Sequence, residues 1–182
     1  VLKVSDRTVE LWAKVLHAVP GSRLLMKSSI REGDPLRRAF LGAIATHGID
    51  PARIEFGTYA RDRDAHLRMY ERVHVALDTV PYNGTTTTCE ALWMGVPVVA
   101  LLGDRHAARV SASLLRAAGC GDWVAGSPDD YAAIAARLAA DRAGLATLRS
   151  GLRAQLRASP LLDASAYAER LVAALRDLHR AP

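Results

Sequence analysis

Lysine is nearly missing from this chain. Only Lys3, Lys14 and Lys27 occur among its 24 basic residues, and the rest, all arginine, are scattered along helical stretches instead of forming a block. No aromatic residues are interleaved with them. The net charge of +5 therefore does not describe a nucleic-acid groove, and it leaves small anionic ligands open. Aromatics make up only 5% of the residues, so the core has to come from Ala, Leu and Val. Cysteine is limited to Cys89 and Cys120, too few for a disulfide framework or a cysteine metal site. Two buried thiols and a cytoplasmic setting fit that count. No apolar run approaches the roughly 18 residues of a membrane span, and the opening VLKVSDRTVELW lacks signal-peptide architecture. No membrane partner is expected. There is no initiator Met, and the chain opens on what reads as the end of a strand, so a fragment or excised domain is expected.

What is present alternates. Across 182 residues, half apolar and a quarter charged, the apolar periodicity predicts a single domain over 1–182. Asp6 is the expected cap of a helix reaching about residue 17, with Val9, Trp12, Val15 and Leu16 along one face. Strands are predicted at 22–28, 53–56, 73–79, 97–102 and 122–125. Helices are predicted at 35–46, 64–71, 86–95 and 105–118, and then at 128–142, 145–157 and 164–178. This order predicts an α/β fold: a Rossmann-like parallel sheet with helices on both faces, and a helical tail over 142–182 packing back on it. Ligands of such sheets lie at the carboxyl ends of the strands.

One of those crossings carries the stretch DTVPYNGTTTTCEALWMGVPVVAL, residues 78–101. Asn-Gly is a hairpin signal and threonines favour strands. The following CEALWMG nevertheless reads as a helix, and the apolar run after it needs a crossover. A helix start presents unpaired N–H groups and about half a positive charge. Gly84 would let a ligand approach the backbone, and the hydroxyls of Thr85, Thr86, Thr87 and Thr88 add donors, which together make a cradle for phosphate oxygens. Glu90 lies one turn beyond Thr86, about 6 Å along the helix, and suits the cis-diol of a ribose. Thr87-x-x-Glu90 also has the form of a capping box, which would give the same carboxylate a structural task. The chemistry leaves both readings open.

Other side chains are candidates for the same crevice. Lys3 stands where it could reach a phosphate, or it is a surface lysine. His66 could meet a base or phosphate, or be a solvated helix-face residue. His106, in the loop after the 97–102 strand, points to the same strand ends, and Lys27 ends a strand nearby. Asp62-Arg63-Asp64 has the Asp-x-Asp form seen in metal-dependent sugar transfer, yet Asp64 serves equally as a helix cap, and no metal site is expected.

The threonine stretch, the HAARVSASLL that follows it, KVSDRTVELWAKVLHAVPGSRLLMK at the front and LRAQLRASPLLD at the back resemble the carboxyl-terminal half of the O-GlcNAc transferase and SPINDLY family of protein glycosyltransferases. The resemblance runs the length of the chain. It implies the carboxyl-terminal domain of a GT-B enzyme that moves a sugar from a nucleotide diphosphate to Ser or Thr of proteins, with inversion and without a metal or other cofactor. Lys3 matches the lysine that neutralises the diphosphate, which makes it the catalytic candidate. His66 matches a histidine at the nucleotide, Thr86 and Thr87 the helix-end threonines at the phosphates, and Glu90 an acid on the ribose.

Where animal O-GlcNAc transferases have a histidine before the threonine pair, this chain has Thr85, and Met69 replaces an arginine near the base. At these positions, and at His106 and Lys27, the chain is closer to the SPINDLY branch. The implied donor is thus UDP-GlcNAc or GDP-fucose. The acceptor protein would be met through an amino-terminal Rossmann half and tetratricopeptide repeats for which these residues have no room. The competing expectations are a stand-alone nucleotide-sugar-binding or scaffold domain without transfer activity, and a related transferase acting on small molecules or glycans.

Overall fold

The computed structural model describes residues 3–28, 30–57 and 62–180. Helix α1, Asp6–Ala18, is followed by strand β1, Leu24–Lys27, helix α2, Pro35–Thr46, and strand β2, Ile54–Gly57. Helix α3, Arg63–Arg68, runs into a 3-10 turn, Met69–Arg72. Strand β3, Ala76–Leu77, helix α4, Thr86–Trp93, and strand β4, Val98–Leu101, form the next crossover. Helix α5, Val110–Ala117, and strand β5, Val124–Ala125, come next, and helices α6, Pro128–Ala140, α7, Arg142–Arg157, and α8, Ala164–Arg180, close the chain.

All strand pairing among the described residues is parallel, and the alternation expected of an α/β fold is present. The described strands form two sheets, β1-β2 and β3-β4-β5. In the larger one β4 is central and buried along its whole length, and α4, α5 and α6 all pack on it. A parallel strand covered this way must be apolar throughout, and Val98-Val-Ala-Leu101 is. Three of the few aromatics meet where α1, α2 and β2 come together: Trp12, Phe40 and Phe56 pack edge to face at 6.3 and 6.1 Å.

Several boundaries differ from expectation for local reasons. Ser5, in extended backbone, caps α1 by accepting the Thr8 N–H, and Asp6 is already the first helical residue. The 73–79 strand is shortened because the carbonyls of Val73 and His74 accept from the Arg149 guanidinium instead of a neighbouring strand. The 105–118 helix is split: the Arg105 and His106 carbonyls accept from the Ala108 and Arg109 N–H groups to close a 3-10 turn, and the Ala108 carbonyl turns back to accept from the Gly103 N–H before α5 begins. The strand end expected at the chain's opening falls partly on residues 1 and 2, outside the described residues.

The tail divides in two. Helix α7 buries Leu145, Leu152 and Leu156 against α4 and α6, as expected of a helix packing back on the domain. Helix α8 buries no residue, and Tyr167, Leu171, Leu175 and Leu178 stay exposed, so the expectation of a packed tail does not extend to it.

Candidate functional site

The loop between β3 and α4 is held from below. Asp78, just past β3, accepts the Gly84 N–H on Oδ1 at 2.7 Å, and the Gly84 carbonyl accepts from Ser111 Oγ at 3.0 Å. Thr88 turns inward and shares a hydrogen bond with Ser111 at 2.9 Å, while Thr85, Thr86 and Thr87 are exposed. A Cβ on Gly84 would lie 2.6 Å from both Thr87 Oγ1 and Thr88 Oγ1. Gly84 is closed in by the chain itself. Its N–H and C=O are both engaged, it is buried, and the chain's own hydroxyls fill the space beside it. Burial pushes the Asp78 carboxyl above its ordinary range, against the pull of Ser111, the Gly84 N–H and Lys3.

Helix α4 opens at Thr86. Thr85 occupies the cap position, makes no side-chain capping bond, and no acid lies in the first turn. An uncapped helix start with three exposed threonines is the geometry that suits an anion. Lys3 reaches it from the other end of the chain: its Nζ donates to the Asn83 carbonyl at 3.2 Å and lies 4.1 Å from the centre of the Tyr82 ring.

Glu90 is not the partner of a capping box, because the cap is Thr85 and Thr87 lies inside the helix. Its Oε2 instead meets His66 Nε2 at 2.8 Å and accepts from the Tyr70 hydroxyl at 3.4 Å. Glu90 Oε1 has no such partner among the described residues. Tyr70 also donates to the Thr87 carbonyl at 3.3 Å, and burial followed by the Glu90 charge pushes its phenol well up, so it stays a donor. His66 is thus partly exposed but not alone; it ties α3 to α4. Asp62, not Asp64, caps α3 by accepting from the Asp64 and Ala65 N–H groups.

The remaining candidates border this corner. His106 is exposed on its 3-10 turn, and that turn is tied to the site because the Ala107 carbonyl accepts from the Asn83 N–H at 2.9 Å. Lys27 Nζ is buried without a hydrogen-bond partner among the described residues, and its pKa is lowered by burial and raised in part by Glu90. The methyl end of Met69 lies against Gly57, where a Cβ would come within 2.6 Å of it.

Three participants escaped sequence reasoning. Tyr70 had a usable signal, since it follows His66 by one helical turn. Tyr82 could have been noticed as an aromatic placed directly before Asn-Gly in a chain poor in aromatics. Asp78 had only its position at the end of a strand.

The sequence profile of glycosyl transferase family 41 matches residues 1–171. A probable UDP-N-acetylglucosamine–peptide N-acetylglucosaminyltransferase SPINDLY from Oryza sativa subsp. japonica is 39% identical over 178 residues, 98% of this chain and 19% of that protein. A UDP-N-acetylglucosamine–peptide N-acetylglucosaminyltransferase from Caenorhabditis elegans is 33% identical over 165 residues, 91% of this chain and 14% of its own length. Among solved structures, a mutant O-GlcNAc transferase from Thermobaculum terrenum superposes with a TM-score of 0.87 at 37% identity, covering 98% of this chain and 34% of that one. The chain therefore spans about a fifth of the length of the SPINDLY relative it matches.

Proposed function

Since the chain belongs to glycosyl transferase family 41, we propose that it is the donor-binding half of a protein O-glycosyltransferase and that the threonine corner holds the donor's diphosphate. The observation that carries this reading is the meeting of Lys3 with the start of α4, through the carbonyl two residues before the helix cap. A mobile surface lysine would have no reason to be there. In this reading the Thr86 and Thr87 hydroxyls and the first-turn N–H groups take phosphate oxygens, and Lys3 adds a full positive charge beside them. Glu90, held by His66 and Tyr70, keeps Oε1 for the ribose diol.

The acceptor Ser or Thr oxygen then attacks the anomeric carbon opposite the diphosphate. The bond from that carbon to the phosphate oxygen breaks, and the diphosphate leaves with the electron pair. The hydroxyl proton passes to a base outside this chain, and the anomeric configuration inverts. Charge grows on the leaving diphosphate, where Lys3 and the helix end stabilise it more than they stabilise the ground state. That supply of charge is why no metal or other cofactor is proposed. The acceptor protein, the second Rossmann half and the tetratricopeptide repeats belong to the same proposal. The relatives' names favour UDP-GlcNAc as donor, while Thr85 and Met69 keep GDP-fucose as the alternative.

Calorimetric titration of the full-length protein with UDP, GDP, UDP-GlcNAc and GDP-fucose tests the reading and chooses between the donors. One base should bind, and Lys3→Ala should weaken it by about 10- to 150-fold, the range for a hydrogen bond to a charged group. If none of the four binds the wild type, the proposal is wrong.

A further inference from the structure

We infer that Tyr82 is a positioning residue for Lys3: its ring and the Asn83 carbonyl together hold the ammonium at the mouth of α4 before any ligand arrives. The inference rests on the donor-binding reading above. A lysine side chain loses roughly 2 kcal/mol of rotamer entropy when it is ordered, and a lysine free in solvent would lose it at the moment of binding. Here the ordering is done in advance. The ammonium lies 4.1 Å from the Tyr82 ring centre, within the range where the negative face of an aromatic ring attracts a cation. The Asn83 carbonyl at 3.2 Å takes one of its three N–H donors, which leaves donors for an anion.

The ring is a fixed platform although it is 54% exposed. The Tyr82 carbonyl accepts from Thr79 Oγ1 at 2.6 Å, and Asn83, itself buried, donates from its amide to the Thr79 carbonyl at 2.9 Å and from its backbone to the Ala107 carbonyl. The backbone on both sides of the ring is thereby pinned. An exposed tyrosine in a chain so poor in aromatics, with its face given to a cation beside the start of α4, acts through that cation.

The test is a double-mutant cycle in the full-length protein, read by calorimetry with whichever of UDP or GDP binds the wild type. Tyr82→Leu keeps apolar bulk and removes the ring face, and it should weaken the nucleotide by about two- to fivefold, the worth of an exposed cation–π contact. Tyr82→Phe keeps the face and should restore affinity to within about twofold of wild type. In a Lys3→Ala background, Tyr82→Leu should have no further effect, since the residue it positions is gone. A merely structural role for the ring would weaken binding equally with and without Lys3, and that additivity would overturn the inference. So would a Tyr82→Leu variant that binds as tightly as the wild type. If no nucleotide binds the wild type, both this inference and the donor-binding reading fall; if the nucleotide binds and only Tyr82 proves indifferent, the inference falls alone.

Discussion

Replacing Glu90 separates the contact this carboxylate makes in the structure from the role proposed for it. Its Oε2 joins α3 to α4 through His66 at 2.8 Å and Tyr70 at 3.4 Å, and its Oε1 is the atom proposed to take the ribose. The His66 and Glu90 side chains are each 27% exposed, so solvent screens the pair and its contribution to stability is at most about 1 kcal/mol. Glu90→Ala should then lower the melting temperature by only about 2–4 °C, the shift expected per kcal/mol in a domain of this size. The ribose contact is worth more, because two hydroxyls donate to a charged acceptor. Its loss should weaken the nucleotide by about 1–3 kcal/mol, or about 5- to 150-fold. Glu90→Gln retains an oxygen that can accept from His66 or Tyr70 but has no charge. It should melt close to wild type and still lose about fivefold in affinity, the difference between a charge-assisted and a neutral hydrogen bond. Thermal unfolding and titration on the same preparations decide the matter. If both variants melt lower while the dissociation constant stays at the wild-type value, Glu90 is a brace between helices and its assignment to the ribose is refuted.

Gly84→Ala should destabilise the protein by about 1–3 kcal/mol, as forced overpacking does, because the new methyl would lie 2.6 Å from the Thr87 and Thr88 hydroxyls. Denaturant unfolding checks this, and a stability equal to wild type would show that the corner can open. Asp78→Asn should change the pH profile. The folded-state pKa of Asp78 is raised above its ordinary value of 3.8, so the stability it contributes is present in acid and is lost as pH rises through the raised value. Asparagine can still accept the Gly84 N–H and has no such loss. The variant should therefore gain on wild type as the denaturant midpoint is followed upward from pH ~3.8, and a difference that does not vary with pH refutes the shift.

The parts legible in the sequence were those set by local spacing. The alternation of apolar strands with helices, the helix beginning at Thr86, and the Asp34-Pro35 start of α2 all follow from neighbours a few residues apart. Contacts made over long separations were not legible as geometry. Lys3 and Asn83 lie 80 residues apart, and His66 and Glu90 lie 24 apart. Lys3 and His66 could be nominated from the resemblance, but nothing in the spacing showed that His66 would hold the glutamate. Gly84 shows the limit differently. A missing side chain marks a close approach, and a sequence does not say whether a ligand or the chain's own hydroxyls make it. Helix α8 has the same ambiguity: an apolar stripe reads as buried, and here Leu171 and Leu175 are exposed at 45% and 56%.

The four consecutive threonines are poor helix formers, and they nevertheless begin a helix. The penalty for a β-branched residue arises mainly from χ1 freedom lost against the preceding turn. Thr86, Thr87 and Thr88 occupy the first turn of α4, where no preceding helical turn exists, so the penalty is at its smallest. The same position leaves their N–H groups without intrahelical acceptors. A helix start is thus the one place in a helix where threonines cost little and their hydroxyls stand beside free backbone donors. The division of the four follows from it. Thr88 turns inward to Ser111 and anchors the turn, while Thr85, Thr86 and Thr87 are exposed at the corner where Lys3 donates to the Asn83 carbonyl. A capping aspartate at Thr85 would stabilise the helix better in isolation, and it would also fill the anion's place with a charge of the wrong sign. Leaving the helix uncapped is consistent with a ligand, and not a side chain, completing the first turn.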